Sequence, residues 1–428
     1  MIAWLLISFA VMMLFGVPIG ISLGLSAMGG ILLLDGGSLV TVTQRMFEGM
    51  NSWALLAIPL YTFAGYTMSK GGISQRLMDF CYSIVGHIYG GLAHVNILAS
   101  MIFAGISGSA VADVSSLGSI VVPMMKKQGY KPEFAVGLTV TTACQGVLIP
   151  PSHNMVIYAL ATGGAVTVGN MLIAGMLPGI LLGACLMLLC FFLANHYHFP
   201  KGEGISYKGR RARILLSAIP PMMIFVIIMG GVAAGVFTAT ESSAIACLYT
   251  FALTYIFTRS AKLRNFNHVL RRALKTLAIV MTLIATAQAS AYMMTALRIP
   301  DQITRALLAV TSNKYLLLLL INALLILLGC FMDMAPLIMI MTPILLPVVT
   351  SPVIGMHPVH FGVMLIFNLA VGLCTPPVGS ALYVGCAVGK TELGATAKAT
   401  LPMFGMMVIV LMIVTFVPAI SLWLPGLL

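Results

Sequence analysis

Charge is scarce in this sequence. Lys, Arg, Asp and Glu together make up 7% of its 428 residues, and only 10 of them are acidic, whereas a soluble domain carries roughly 25% charge. Water is therefore not the main solvent of this chain. Also missing are the ~10-residue alternating segments of a membrane β-barrel. The eight cysteines lie singly in apolar segments, with no C-x-x-C and no His-rich run, so neither a zinc site nor a disulfide framework is indicated. There is no H-E-x-x-H, no G-x-S-x-G elbow and no Walker motif, and Gly29-Gly30 and Gly163-Gly164 lack the strand and following Lys that phosphate binding needs. Catalysis finds little support, and any work the chain does must draw on an ion gradient or on a substrate's own gradient.

What the sequence has is apolar length. Sixty per cent of it is AVILMFWYC, and runs such as Ala3 to Leu34, Ile214 to Ala234, Ser242 to Phe257 and Tyr315 to Gly329 match the ~20 helical residues that cross a ~30 Å hydrocarbon core. Lipid leaves a helix as the one way for such a run to satisfy its backbone. The first run has no preceding Lys or Arg and no small-residue cleavage site, so it reads as a retained helix. Half of the 22 basic residues fall in two stretches, Lys201 to Arg213 and Arg259 to Lys275. Such excess marks a cytoplasmic face rather than a nucleic-acid surface. The residues between them suffice for two crossings.

The chain repeats itself. At a shift of 226 positions Ile73 falls on Ile299, Asn96 on Asn322, Pro132 on Pro358, Gly146 on Gly372 and Pro150-Pro151 on Pro376-Pro377; at 224, Gly105 meets Gly329 and Pro123 meets Pro347. Gly and Pro fix backbone irregularities, so their shared order points to two copies of one architecture. Each copy begins with an amphipathic stretch, about 73–90 and about 299–313. An apolar run interrupted by small or polar residues follows, about 95–125 around Gly105 to Asp113 and about 315–347 around Gly329 to Pro336. Its arms are too short to span, which predicts a re-entrant hairpin. Last comes a helix broken at a Pro-Pro pair, about 133–160 and about 360–388. Prolines remove backbone donors and leave carbonyls without partners, free to meet a cation; the alternative is a simple kink between packed helices. Interrupted segments at matching places in two halves point to a transporter's binding site.

The fold class expected is thus an all-α polytopic membrane protein of two inverted-topology repeats: 1–200 as the first repeat, 201–265 as basic cytoplasmic loops with a helix pair, and 266–428 as the second repeat. Acidic residues in apolar surroundings are functional candidates. Asp333 is the first choice, opposite Ser109 at the 224 shift, with helix capping as its alternative. Asp113 reads equally as a cap, Glu241 as the cap of the next helix, and His153 as a structural histidine. Arg298 ends the apolar stretch Thr276 to Leu297, and its repeat equivalent is Gly72, so symmetry does not explain it. A guanidinium matches a carboxylate in two parallel hydrogen bonds, which makes Arg298 the candidate partner of an anionic substrate; surface snorkelling is the alternative.

Gly235-Val236-Phe237-Thr238-Ala239-Thr240-Glu241 resembles the G-x-F-T-P-T-E signature of the large membrane subunit of TRAP (tripartite ATP-independent periplasmic) transporters, with Ala239 in place of the proline. Gly105 to Asp113 is similar to that family's first hairpin, and the paired Pro-Pro breaks match its pattern. The resemblance implies a sodium-driven, elevator-type symporter in the bacterial inner membrane that imports a small organic acid such as a C4-dicarboxylate, sialic acid or another sugar acid. It also implies two partners in the lipid bilayer and beyond it: a small Q-type membrane subunit, expected as a separate chain, and a periplasmic substrate-binding protein. For Na+ as coupling ion, unwound carbonyls supply oxygen ligands. One site is expected between Ser107, Gly108, Ser109 and the break at Gly146 and Pro150, and a second between Asp333 and the break at Gly372, Thr375 and Val378, with Arg298, Asp333 and Ser109 on the substrate. A passive organic-anion channel and an intramembrane enzyme remain as alternatives.

Overall fold

The computed structural model describes residues 2–33, 38–70, 72–196, 199, 211–261, 266–311, 313–376 and 379–427. The basic residues Lys201, Lys208, Arg210, Lys262 and Arg264, the break residues Pro377 and Val378, and the side chains of Ser107 and Ile73 lie outside that description.

Helices make up the fold. The first apolar run is not one long helix: α1 (Ile2–Leu14) and α2 (Ile19–Leu32) are separated by a turn at Gly16, whose φ is 76°, and by Pro18. A proline one residue before a helix fixes the entering φ and ends whatever precedes it. Then come α3 (Leu39–Met50), α4 (Ala57–Lys70), the amphipathic α5 (Ile73–Val85), α6 (Gly91–Ser107), the short α7 (Ala110–Ser116), and α8 (Gly118–Lys127). The first Pro-Pro segment separates α9 (Pro132–Gln145) from α10 (His153–Ala161), and α11 (Val168–His196) follows. A connecting pair, α12 (Arg211–Ala233) and α13 (Ala239–Phe251), leads to α14 (Phe266–Ala296). The second half runs through α15 (Ile299–Val310), α16 (Lys314–Gly329), α17 (Met334–Val349), α18 (Pro358–Gly372), α19 (Ser380–Gly389), α20 (Leu393–Phe416) and α21 (Ala419–Leu422). Among the described residues α11, α12, α14 and α20 are long and apolar enough to cross a membrane, which makes this a multi-pass membrane protein.

Local chemistry sets several of these boundaries. Glu241 caps α13 as the sequence suggested: Thr238 Oγ1 accepts from the Glu241 N–H at 3.2 Å, and Glu241 Oε2 accepts from the Thr238 N–H at 2.8 Å, the two halves of a capping box. Pro132 and Pro358 each open a helix at the first position, where the missing N–H costs nothing.

The buried polar residues tie helices together in a matching way in both halves. Asn96 on α6 donates to Thr139 on α9 at 2.8 Å, and Ser100 and Thr142 join the same pair at 3.1 Å. In the second half Asn368 on α18 donates to the backbone and side-chain oxygens of Asn322 on α16 at 3.0 and 2.9 Å. Interhelical bonds of this kind contribute about 0.6–2 kcal/mol each in apolar surroundings. Packing then crosses between halves: α7 lies against α19, and α17 against α10. Just past the end of α18, Cys374 Sγ lies 3.1 Å from Cys144 Sγ on α9.

Glycine permits the tightest of these approaches. A Cβ on Gly372 would sit 2.8 Å from backbone carbons of Gly329, whereas one on Gly405 would meet nothing within 4 Å. Because the obstructing atoms are backbone, Gly372→Ala forces α16 and α18 apart, and overpacking of this sort costs about 1–3 kcal/mol. Thermal unfolding of purified protein is expected to show a lowered midpoint for Gly372→Ala and none for Gly405→Ala.

Candidate substrate and ion site

A cavity of about 690 Å³ lies between α2, α4 and α14 on one side and the ends of α7, α10 and α17 on the other. Ser109 and Asp333, separated by 224 positions, both reach it, and His153 lines it between them. Each arrives by an interruption of helix. Ser109 stands at the N-cap of α7 after Gly108, whose φ of 61° suits a residue without Cβ. A Cβ on Gly108 would collide with the Pro151 carbonyl, so the tip of the first interruption rests on the first Pro-Pro segment. The His153 ring neighbours the Gly108 backbone and Asp333.

Asp333 occupies the N-cap position of α17, with φ −71° and ψ 161°, yet its side chain makes no capping hydrogen bond. The capping alternative therefore does not describe it: the carboxylate is exposed toward the cavity. Among the described residues it is the one Asp, Glu, Lys or Arg in the cavity wall, which otherwise carries hydroxyls such as Thr62, Tyr66, Thr276 and Thr282. Asp113 is buried within α7 and does not line the cavity.

The second interruption is knit to the second break. Cys330 Sγ and Thr375 Oγ1 are 3.0 Å apart, and Gly329 lies on Gly372. The expectation of free carbonyls meets a different arrangement here: the Gly372 carbonyl accepts from both the N–H and the Oγ1 of Thr375, at 3.0 and 2.7 Å. A hydroxyl three residues on has replaced the donor that the broken helix lost. At the first break, none of the described residues donates to the Gly146 carbonyl. The residue in contact with the first tip is Pro151 rather than Pro150.

Arg298 is not brought to this cavity. It follows the last turn of α14 with a φ of 50°, is exposed, and is not among the residues that line the cavity. A left-handed residue at a helix end turns the chain, here into α15. Sequence reasoning, for its part, missed Thr62 and Tyr66. Their i, i+4 spacing on one helix face was the available signal.

A many-helix membrane protein with a central cavity entered by two interrupted helices has the build of a secondary transporter. Comparison with known proteins carries the class to a family. The family described as "Tripartite ATP-independent periplasmic transporter, DctM component" matches residues 6–420. The protein YgiK of Salmonella typhimurium is 39% identical over 98% of this chain and 96% of its own length. The C4-dicarboxylate TRAP transporter large permease protein DctM of Pseudomonas aeruginosa is 37% identical over 95% of this chain and 94% of its own. The crystal structure of the YdaH transporter of Alcanivorax borkumensis shares the fold, with a TM-score of 0.64 at 14% identity over 92% of this chain and 90% of that one. The chain belongs to the TRAP transporter large permease family, a family of permeases and not of enzymes.

Since Asp333 does not cap α17, removing its carboxylate should spare the helix. A true capping residue replaced by Ala costs about 1 kcal/mol; Asp333→Ala is expected to leave the thermal unfolding midpoint in place while substrate uptake falls by an order of magnitude or more.

Proposed function

We propose that this chain is the sodium-coupled importing subunit for a small organic acid, delivered from the periplasm by a substrate-binding protein and carried with the help of a small Q-type membrane subunit. The observation that carries the reading is the single cavity to which Ser109 and Asp333 come from corresponding interruptions in the two halves. The two halves act as inverted-topology repeats, and the interrupted segments as re-entrant hairpins. In support, helices begin at matching offsets, α9 with α18 and α5 with α15 at 226, and α7 packs on α19 as α17 packs on α10. Hairpins and broken helices move together, elevator-fashion, against a scaffold that includes α2, α4 and α14. The cavity between these two groups of helices is the space such a movement would open and close.

Sodium sits where hairpin tips meet breaks. One ion is assigned to Ser107, Gly108 and Ser109 with the break at Gly146 and Pro150, and the other to Asp333 with Gly372, Thr375 and Val378. At the second, Thr375 Oγ1 is already poised beside Gly372 and Cys330, and an ion would exchange its internal bond for coordination. The acid itself binds between Ser109 and Asp333. Arg298, exposed just beyond α14, meets the carboxylate at the outer approach rather than in the cavity. The name of the Pseudomonas relative makes C4-dicarboxylates the first acids to try, and the bacterial inner membrane is the expected location.

Vesicles holding this chain with its small subunit are expected to take up the acid only with inward sodium and the cognate binding protein. Equal uptake in potassium-only buffer would remove sodium coupling. Thr375→Ala and Ser109→Ala should each raise the sodium concentration for half-maximal uptake about tenfold, the effect of losing about 1.4 kcal/mol of ligation, at normal protein abundance. Unchanged sodium dependence in both would count against this placement.

A further inference from the structure

A second cavity, of about 430 Å³, shares Tyr66, Ser109 and Val111 with the main one in its lining. Its chemistry differs. Where the larger cavity carries the Asp333 carboxylate, the smaller carries Arg272, from the second turn of α14, and no acidic residue among those that line it. Two further features favour an anion. The Ser74 side chain is 3% exposed, lines this cavity, and its Oγ has no hydrogen-bond partner. Burying an unmatched hydroxyl costs about 1–3 kcal/mol, so its lone donor is left for something that enters. Ser74 also belongs to the first turn of α5, whose N-cap is Gly72 at φ 66° with no side-chain cap, and Gly72 lines the cavity as well. Uncapped N–H groups at a 13-residue helix start offer donors and a positive dipole end to an anion. By contrast the Ser115 and Ser119 hydroxyls donate at 2.9 and 2.7 Å to the carbonyls of Val111 and Ser116, so they have no proton to offer.

We propose that this smaller cavity is a carboxylate subsite, in which the Arg272 guanidinium, Ser74 Oγ and the first-turn N–H groups of α5 hold one carboxylate group of an organic acid. Arg272 lies in the basic stretch Arg259 to Lys275 that marks the cytoplasmic face. The subsite is therefore on the inner side of Asp333. From the larger cavity to the smaller, the charged residue in the wall changes from Asp333 to Arg272, a potential that draws an anion inward. Its use as a release station rests on the importer reading above; the subsite itself does not. It reads the carboxylate rather than the rest of the molecule, so a simple aliphatic acid should occupy it.

The test uses the full chain in lipid nanodiscs and arginine modification by phenylglyoxal, followed residue by residue with mass spectrometry. Arg272 is exposed and thus reactive, and Arg271 is equally exposed but does not line the cavity, which makes it a control within the same molecule. Succinate at roughly ten times its Kd should slow labelling of Arg272 by about tenfold, leaving Arg271 unchanged, and succinamide, of the same shape without charge, should protect neither. Ser74→Ala should raise the succinate concentration for half-protection about fivefold, the contribution of one hydrogen bond, without changing labelling in its absence. Absent protection at Arg272, equal protection of Arg271, or equal protection by succinamide would each overturn the subsite. Labelling reports occupancy and not movement, so its failure leaves the importer reading intact, and a failure of uptake leaves the subsite intact.

Discussion

Inside an apolar medium a helix can stop only where something else takes up its loose backbone groups, and this fold is arranged around four such stops. The tip at Gly108 lies on Pro151, and the tip at Gly329 lies on Gly372; in each case an interrupted helix closes against a broken one without a side chain between them. That closeness is what only glycine permits, and it is also what concentrates carbonyls, hydroxyls and one carboxylate in a region that is otherwise Leu, Met and Val. A lipid-exposed break would leave several kcal/mol of unsatisfied backbone, so the surrounding helices are committed to covering these points. The buried amides of Asn96, Asn322 and Asn368 hold the covering helices in register.

From that constraint the cavity follows. The stops cannot be packed over completely, because their polar groups need partners, and α2, α4 and α14 leave a space of about 690 Å³ in front of them. Helix α14 lines both this space and the smaller cavity. Arg272, near its start, lines the smaller cavity, and Asp333 belongs to the wall opposite α14 in the larger one. In the proposed transport cycle an organic anion would meet the Asp333 carboxylate in one cavity and the Arg272 guanidinium in the other. At Asp333 the proposed coupling to a cation has a physical reason: a carboxylate substrate beside it would be repelled unless positive charge accompanied it.

Much of this was legible in the sequence because it is written in Gly and Pro. Their shared order at shifts of 224 and 226 located both interruptions and both breaks, and the scarcity of charge made Asp333 conspicuous. Glu241 was readable as a cap because capping is a local event over four residues. What could not be read was tertiary. Asp333 as cap or as cavity ligand is one position with two side-chain directions. The turn that takes Arg298 outward depends on how α15 docks. Arg272 was hidden in a basic stretch whose evident meaning was topology, and the first apolar run looked continuous because Gly16 and Pro18 interrupt hydrophobicity so little.

The central claim is that the tips and breaks are cation sites, and amide hydrogen exchange of the full chain in nanodiscs, in sodium against choline chloride at equal ionic strength, tests it without substrate or partner. Sodium should slow exchange in peptides covering 105–113, 146–152, 329–336 and 372–376, and leave α12 and α13 unchanged. Identical exchange of those four segments in the two salts would contradict the account.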